Sequence, residues 1–266
     1  MNDRTVRAVS AAHTLARRFG ITCEPIVLAE SNHVVVRIGD WVAKAEVESS
    51  ARTRASLARE VHVALWLARR GAPVVEPVRD AGPHVVDGVT LTLWHYYPSQ
   101  IVPEASPELL GRALREMHAA LHGYAEPVPS FTDHLDDAAR LLASPAPLAL
   151  SDDERTFTLD LFDRLRPGLE TLCDARVIHG EFHDGQLLIT ENGVRWLDFE
   201  CICRGPIEWD VTGLGDPEHY GAVDEALLAR LRIVRSVCTV AWCAVAPHRS
   251  SVLRDALDYH LGVLRA

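Results

Sequence analysis

His179-Gly-Glu-Phe-His-Asp-Gly-Gln186, followed after Leu187, Leu188 and Ile189 by Trp196-Leu-Asp-Phe-Glu200, is the stretch on which the reading of this chain turns. It offers a carboxylate at Glu181, an amide five residues later at Gln186, and a second carboxylate, Asp198, twelve residues beyond that. Phosphoryl transfer uses those groups in that order. A carboxylate orients or deprotonates the attacking hydroxyl, an amide oxygen sits on magnesium, and an aspartate bridges magnesium to the phosphates. Glycines at 180 and 185 frame the first segment as a loop.

Composition singles out one further position. Of the 27 basic residues, 26 are arginine and one, Lys44, is lysine, set in Asp40-Trp-Val-Ala-Lys-Ala45. A nucleotide site of this kind holds phosphates with a compact ammonium, for which a forked guanidinium is no substitute. The plainer alternative is a surface lysine on the solvent face of a strand, where a charge between alternating apolar residues ordinarily sits.

With 266 residues the chain is long enough for two lobes, and its 48% apolar and 24% charged content is that of a soluble globular protein. The uncharged run Ser236 to Pro247 is too short to span a bilayer, and Met1-Asn-Asp-Arg4 lacks a signal pattern, so a cytoplasmic protein without membrane association is expected. Six cysteines show no CxxC pair, which argues for reduced thiols rather than a disulfide framework. The net charge of −10 is uneven, at +2 over residues 1–97 and −12 over residues 98–266. Nucleic acid is a poor partner for such a C-terminal part, whereas a cationic small molecule would be attracted to it.

The order of elements follows from periodicity. A helix is expected over Arg4–Phe19, strands over Ile26–Leu28, Val34–Ile38 and Trp41–Val47, a helix over Ala51–Arg70 with Glu60 near its middle, and β-prone runs at Val74–Val78 and Gly88–Trp94. Three strands, a helix and two strands put Lys44 on the third strand and Glu60 where it can pair with it. Trp94-His-Tyr-Tyr-Pro98 reads as a hinge whose backbone and aromatics, Tyr96 among them, can meet an adenine. An amphipathic helix follows Pro107, with His118 as a packed residue rather than a catalytic one. Prolines 127, 129, 145 and 147 bound a loop-rich insertion, Ser151-Asp-Asp-Glu154 starts a helix, and the chain is helical from Ala222.

With these residues in place the chain resembles the aminoglycoside phosphotransferase and choline kinase-like family of small-molecule kinases, from about Val27 to the C-terminal helices. The elements that carry the resemblance are the Lys44 strand, Glu60, the His179–Gln186 loop, and Asp198-Phe-Glu followed by Gly205-Pro-Ile-Glu-Trp-Asp210. It implies an α+β, bilobal protein kinase-like fold, with a small β-rich N-terminal lobe over residues 1–97 and a larger, mostly helical catalytic and substrate-binding lobe over residues 98–266. It further implies transfer of the γ-phosphoryl of magnesium-ATP or GTP, held between the lobes, to a hydroxyl of a small molecule, with an aminoglycoside or another cationic antibiotic as one candidate. By the same resemblance Lys44 holds the α- and β-phosphates, Glu60 orients Lys44, Glu181 stands at the catalytic aspartate, and Gln186 and Asp198 are the magnesium ligands. Ser31 and Asn32, in the turn between the first two strands, either donate hydrogen bonds to the phosphates or form a plain turn. Asp184 either assists catalysis or sits in a turn. Monomer and homodimer are both compatible with the sequence.

Two positions depart from the family pattern. Gln186 replaces asparagine and keeps the amide, while Glu181 replaces aspartate and moves the carboxylate by about 1 Å, enough to cost about a hundredfold in rate if uncompensated. The alternative is therefore a nucleotide- or ligand-binding protein of kinase fold with weak or no turnover. Zinc chemistry fails on spacing, because Cys201-Ile-Cys203 is C-x-C where a deaminase has P-C-x-x-C.

Overall fold

The computed structural model describes residues 2–98, 105–172, 176–245 and 251–266. Its first elements are α1 (Asp3–Arg18), β1 (Ile26–Glu30), β2 (Val34–Ile38), β3 (Trp41–Glu46), α2 (Ala51–Arg69), β4 (His84–Val86) and β5 (Val89–His95). There follow α3 (Pro107–Leu121), α4 (Phe131–Ala143), α5 (Asp152–Leu165), β6 (Arg176–Ile178), β7 (Leu187–Thr190), β8 (Gly193–Trp196), β9 (Cys203–Gly205), α6 (Ile207–Val211), α7 (Glu225–Val245) and α8 (Ser251–Arg265). They form two compact units, one of Met1–Glu104 with Gly185–Cys201 and one of Ala105–Asp184 with Ile202–Ala266.

In the first unit the strands make one antiparallel sheet in the order β1-β2-β3-β5-β4. Strand alternation sorts the side chains. Val34, Val36, Ile38, Ala43, Ala45, Leu91 and Leu93 fall on one face and pack with Ala8, Ala11, Ala12, Leu15 and Ala16 of α1, whose small residues allow close approach. The opposite face carries Lys44, which pairs in register with Val35 and Thr92. Gly39, at φ +62°, makes the tight turn between β2 and β3. The β7–β8 hairpin joins this unit through Val75, whose N–H donates to the Trp196 carbonyl at 2.8 Å, and through the Trp196 N–H, which donates to the Pro73 carbonyl at 2.7 Å.

The second unit is mainly helical around a core that includes Phe131, Leu135, Ile178, Trp209 and Val237. The long helix α7 packs against α4, α5, α6 and α8, and β6 pairs with β9.

Two expectations change. Val74–Val78 is not a strand: Val74 and Pro77 form isolated bridges to Trp196 and Trp94, and a proline has no N–H to extend a ladder. The outer strand is instead β4, three residues long. The segment between the proline clusters is not loop-rich, because α4 occupies it with a capping box made by Ser130 and Asp133. No helix among the described residues is long and apolar enough to cross a membrane. Cys23, Cys201, Cys203, Cys238 and Cys243 are free thiols; Cys173 lies outside the described residues.

Candidate active site

Lys44 is 9% exposed, buried on its strand rather than facing solvent. Its Nζ donates to Glu60 Oε1 and Oε2 at 3.1 Å each and to Asp198 Oδ1 at 2.6 Å, and lies 3.4 Å from Glu200 Oε2. Glu60 reaches it from the buried face of α2, a helix capped by Ser50 and lined inward by Leu57, Val61, Val63, Ala64 and Leu67. Asp198 follows β8 with φ at +66°, a left-handed backbone that a non-glycine residue holds only when its surroundings impose it. That conformation turns the carboxylate toward Lys44. Gln186 is buried in the short turn just before β7, and its backbone carbonyl accepts the Leu197 N–H at 3.2 Å, which ties it to the residue before Asp198.

Three residues missing from the sequence-based set, His33, Glu46 and Glu200, complete this cluster. His33, 8% exposed at the end of the β1–β2 turn, places Nε2 3.0 Å from both Glu200 carboxylate oxygens and Nδ1 3.4 Å from Glu46. Burial opposes its charge, but Glu200 and Glu46 outweigh burial and raise its pKa to about 9. Glu200 responds in the opposite sense: burial disfavours its ionisation, yet Lys44 and His33 hold the carboxyl well below its usual range. Burial pushes the Lys44 ammonium down, and Asp198, Glu200 and Glu60 more than reverse this. Glu60 is raised to about 7, chiefly by burial, with Asp198 and Glu200 opposing the help it receives from Lys44. Two cations, Lys44 and His33, thus meet four carboxylates, Glu46, Glu60, Asp198 and Glu200. Carboxylate oxygens of Glu60, Asp198 and Glu200 lie within 4.8 Å of one another, and this surplus of negative charge fits a divalent cation.

The remaining predicted nucleotide residues make contacts of their own. Ser31 and Asn32 are exposed, and both of their carbonyls accept from the Arg4 guanidinium of α1, the Ser31 contact at 2.9 Å. Tyr96 donates its backbone N–H to the Asp40 carbonyl at 2.8 Å, and the Arg37 guanidinium lies 3.8 Å from its ring centroid. These groups are positioned by the sheet and α1.

Glu181 belongs to the second unit, where its loop is held by buried groups. The Asp210 carboxylate, fully buried in α6, accepts from the His179 N–H at 2.7 Å and the Gly180 N–H at 2.8 Å. The Gly180 carbonyl accepts from Trp209 Nε1 at 2.8 Å and from the Arg235 guanidinium at 3.5 Å. Gly180 has φ +89°, which suits it to glycine alone. On the other side of Glu181, Phe182 is fully buried, and its carbonyl lies so close to Gly213 that a Cβ there would stand 1.9 Å from the oxygen. Glu181 itself is half-buried. Burial, and the Glu181 carboxylate nearby, push the Cys243 thiol of α7 up to about 11. His118 is packed, as expected, between Asp210 and Tyr220. Asp210 lay inside the motif quoted from the sequence; its role became visible only once the fold placed it beneath the loop.

Comparison with known proteins accords with this geometry. A structure of an amicoumacin kinase in complex with AMP-PNP, Ca2+ and Ami is similar, at 15% identity over 99% of this chain and 96% of that chain, with a TM-score of 0.72. A choline/ethanolamine kinase family protein from Mesorhizobium loti gives 16% identity over 98% of this chain and 94% of that one, with a TM-score of 0.67. An aminoglycoside-3'-phosphotransferase of type VIII gives 21% over 89% and 100%, with a TM-score of 0.64. These likenesses establish a kinase-like fold, with a small antiparallel-sheet part and a larger helical part. No curated protein sequence matches the chain. The family model described as the phosphotransferase enzyme family matches residues 22–242, and the chain belongs to that family.

Proposed function

We propose that this protein is a small-molecule kinase that moves the γ-phosphoryl of ATP or GTP to a hydroxyl of its acceptor. The observation that carries the reading is the buried Lys44 ammonium, shared by Glu60 and Asp198 within a cluster whose carboxylates outnumber its cations. A lysine buried among carboxylates is costly unless its charge is used. Phosphate oxygens would use it, and a divalent metal would balance the remaining carboxylates.

In this reading Lys44 contacts the α- and β-phosphates, Glu60 fixes the lysine, and Asp198 and Gln186 hold Mg2+. When bound there, the ion would supply charge neutralisation for the phosphoryl group in transfer. Glu181 orients the acceptor hydroxyl. The hydroxyl oxygen bonds to the γ-phosphorus as the bond to the β-phosphate oxygen breaks, the nucleoside diphosphate leaves with that oxygen, and Glu181 accepts the hydroxyl proton late.

The −12 charge of residues 98–266 favours a cationic acceptor. The solved structures named above are of an amicoumacin kinase, a choline/ethanolamine kinase family protein and an aminoglycoside-3'-phosphotransferase, and each suggests an acceptor class to test here. An antibiotic acceptor would make the protein a resistance factor. Use of a nucleoside triphosphate and the free thiols fit a cytoplasmic enzyme. The second reading, a binder without turnover, is motivated by Glu181 alone.

The deciding experiment is magnesium-dependent release of ADP from ATP, or GDP from GTP, against aminoglycosides, peptide antibiotics, amino sugars and amino alcohols. Lys44→Ala and Asp198→Ala are run beside the native chain. Turnover with one acceptor, lost at least a hundredfold in both variants, is expected (on the order of the effect of losing one charge-stabilising group). Unchanged magnesium-nucleotide affinity and turnover in both variants would sink the site assignment.

A further inference from the structure

His118 has no place in the chemistry above, yet it is one of the most thoroughly engaged side chains in the second unit. It lies on the buried face of α3 at 7% exposure. Its Nε2 is 2.8 Å from Asp210 Oδ2, and its Nδ1 is 2.9 Å from the Tyr220 hydroxyl. Because a carboxylate only accepts, Nε2 must carry the proton, and Tyr220 is then free to donate its hydroxyl proton to Nδ1. The same Asp210 oxygen also accepts the His179 N–H, while its other oxygen accepts the Gly180 N–H.

We infer that His118, whose Nε2 donates to Asp210 while its Nδ1 faces the Tyr220 hydroxyl, is a positioning residue for the catalytic loop: it keeps Asp210 an anion with both oxygens presented to the backbone immediately before Glu181. This rests on the assignment of Glu181 as the group that meets the acceptor hydroxyl. A buried carboxylate with three N–H donors stays ionised. Remove the imidazole donor, and Asp210 must either keep an undercompensated charge or take up a proton. A protonated carboxyl presents a donor where it had an acceptor, so it grips the two loop amides less well. Gly180 is the hinge of that loss, since its carbonyl stays fixed by Trp209 while its N–H is released. Glu181 is the next residue, and a displacement of about 1 Å there costs about a hundredfold in rate.

A merely packed histidine predicts something else: loss of stability in proportion to the cavity, with no selective effect on the loop. His118→Leu, His118→Gln and Tyr220→Phe separate the two. The glutamine amide can still donate to Asp210, and the phenylalanine keeps the ring without the hydroxyl. Hydrogen exchange of the 176–188 segment and steady-state kinetics are measured at temperatures equally far below each variant's melting point. His118→Leu is expected to lose protection at the His179 and Gly180 amides and to lower kcat by about ten- to a hundredfold with nucleotide KM unchanged. His118→Gln should recover most of both effects, and Tyr220→Phe should fall between. Should His118→Leu fail to fold, Tyr220→Phe against the native chain makes the same comparison. Native exchange at these amides in His118→Leu, or in Tyr220→Phe where that variant stands in, overturns the inference whatever happens to kcat. So does a kcat loss that glutamine fails to restore. If the native chain phosphorylates no acceptor, the kinase reading fails by itself, and the exchange experiment still decides whether His118 holds the loop.

Discussion

At Glu181 the backbone leaves little room for adjustment. Gly180 is held at both its N–H and its carbonyl, and Phe182 is buried with its carbonyl against Gly213. A one-methylene difference in the side chain is therefore felt almost fully at the carboxylate. Glu181→Asp is expected to lower kcat about a hundredfold with the native acceptor and to leave nucleotide affinity unchanged. A rise in kcat would favour the reading in which turnover was lost at this position. Lys44 and Glu60 were legible before any fold was known, because a lone lysine among arginines and an acid in the next helix are statements about chemistry. His33 was not. Nothing in Ser31-Asn-His33 indicates that its imidazole is buried between two carboxylates, Glu46 from the neighbouring strand and Glu200 from 167 positions away. Such contacts depend on register and on chain reversals that local pattern does not encode.

Among the elements, periodicity located α1, α2 and α3, and it failed where the signal was short or broken. His84–Val86 offers only three residues, and its pairing with β5 supplies what its own sequence lacks. Conversely Val74–Val78 has the composition of a strand, but Pro77 interrupts its donors. The prolines around α4 drew attention from a helix whose apolar positions, Phe131, Leu135, Ala138 and Leu142, are all buried. The short helix α6 carries more of the architecture than its five residues suggest, since Trp209 and Asp210 grip the Glu181 loop and Gly213 follows directly after. Gly213→Ala would place a methyl group against the Phe182 carbonyl. It is expected to cost about 1–3 kcal/mol or more in denaturant unfolding and to lower kcat beyond that loss. Asp210 also gives the second unit an acid limit. Burial alone would raise its pKa, but the His118 contact and the Gly180 N–H hold it below the ordinary value of 3.8. Its contribution to stability is therefore present above that value and is lost as pH falls through the depressed folded pKa. Denaturant unfolding from pH 7 to pH 2 should show this acid limb, and Asp210→Asn should be less stable at pH 7 with a flatter limb.

For the whole molecule, charge asymmetry makes a prediction independent of any one residue. Raising ionic strength from about 0.01 M to about 0.15 M shortens the screening length from about 30 Å to about 8 Å. The KM of a cationic acceptor should rise several-fold over that range, and that of a neutral acceptor should hardly move. An equal response of both would remove charge as a basis for acceptor choice. The division of the chain has a different kind of consequence. The first unit is assembled from Met1–Glu104 and Gly185–Cys201, with the second unit's chain interposed. On a ribosome, Lys44 and Glu60 exist long before the Asp198 and Glu200 that share their charge, and Val75 and Pro73 wait for Trp196. The N-terminal segment therefore cannot mature as it emerges. A nascent chain stalled at residue 104 should remain protease-sensitive, and only chains with residue 201 clear of the exit tunnel should resist, so that the oldest part of the polypeptide is among the last to finish folding.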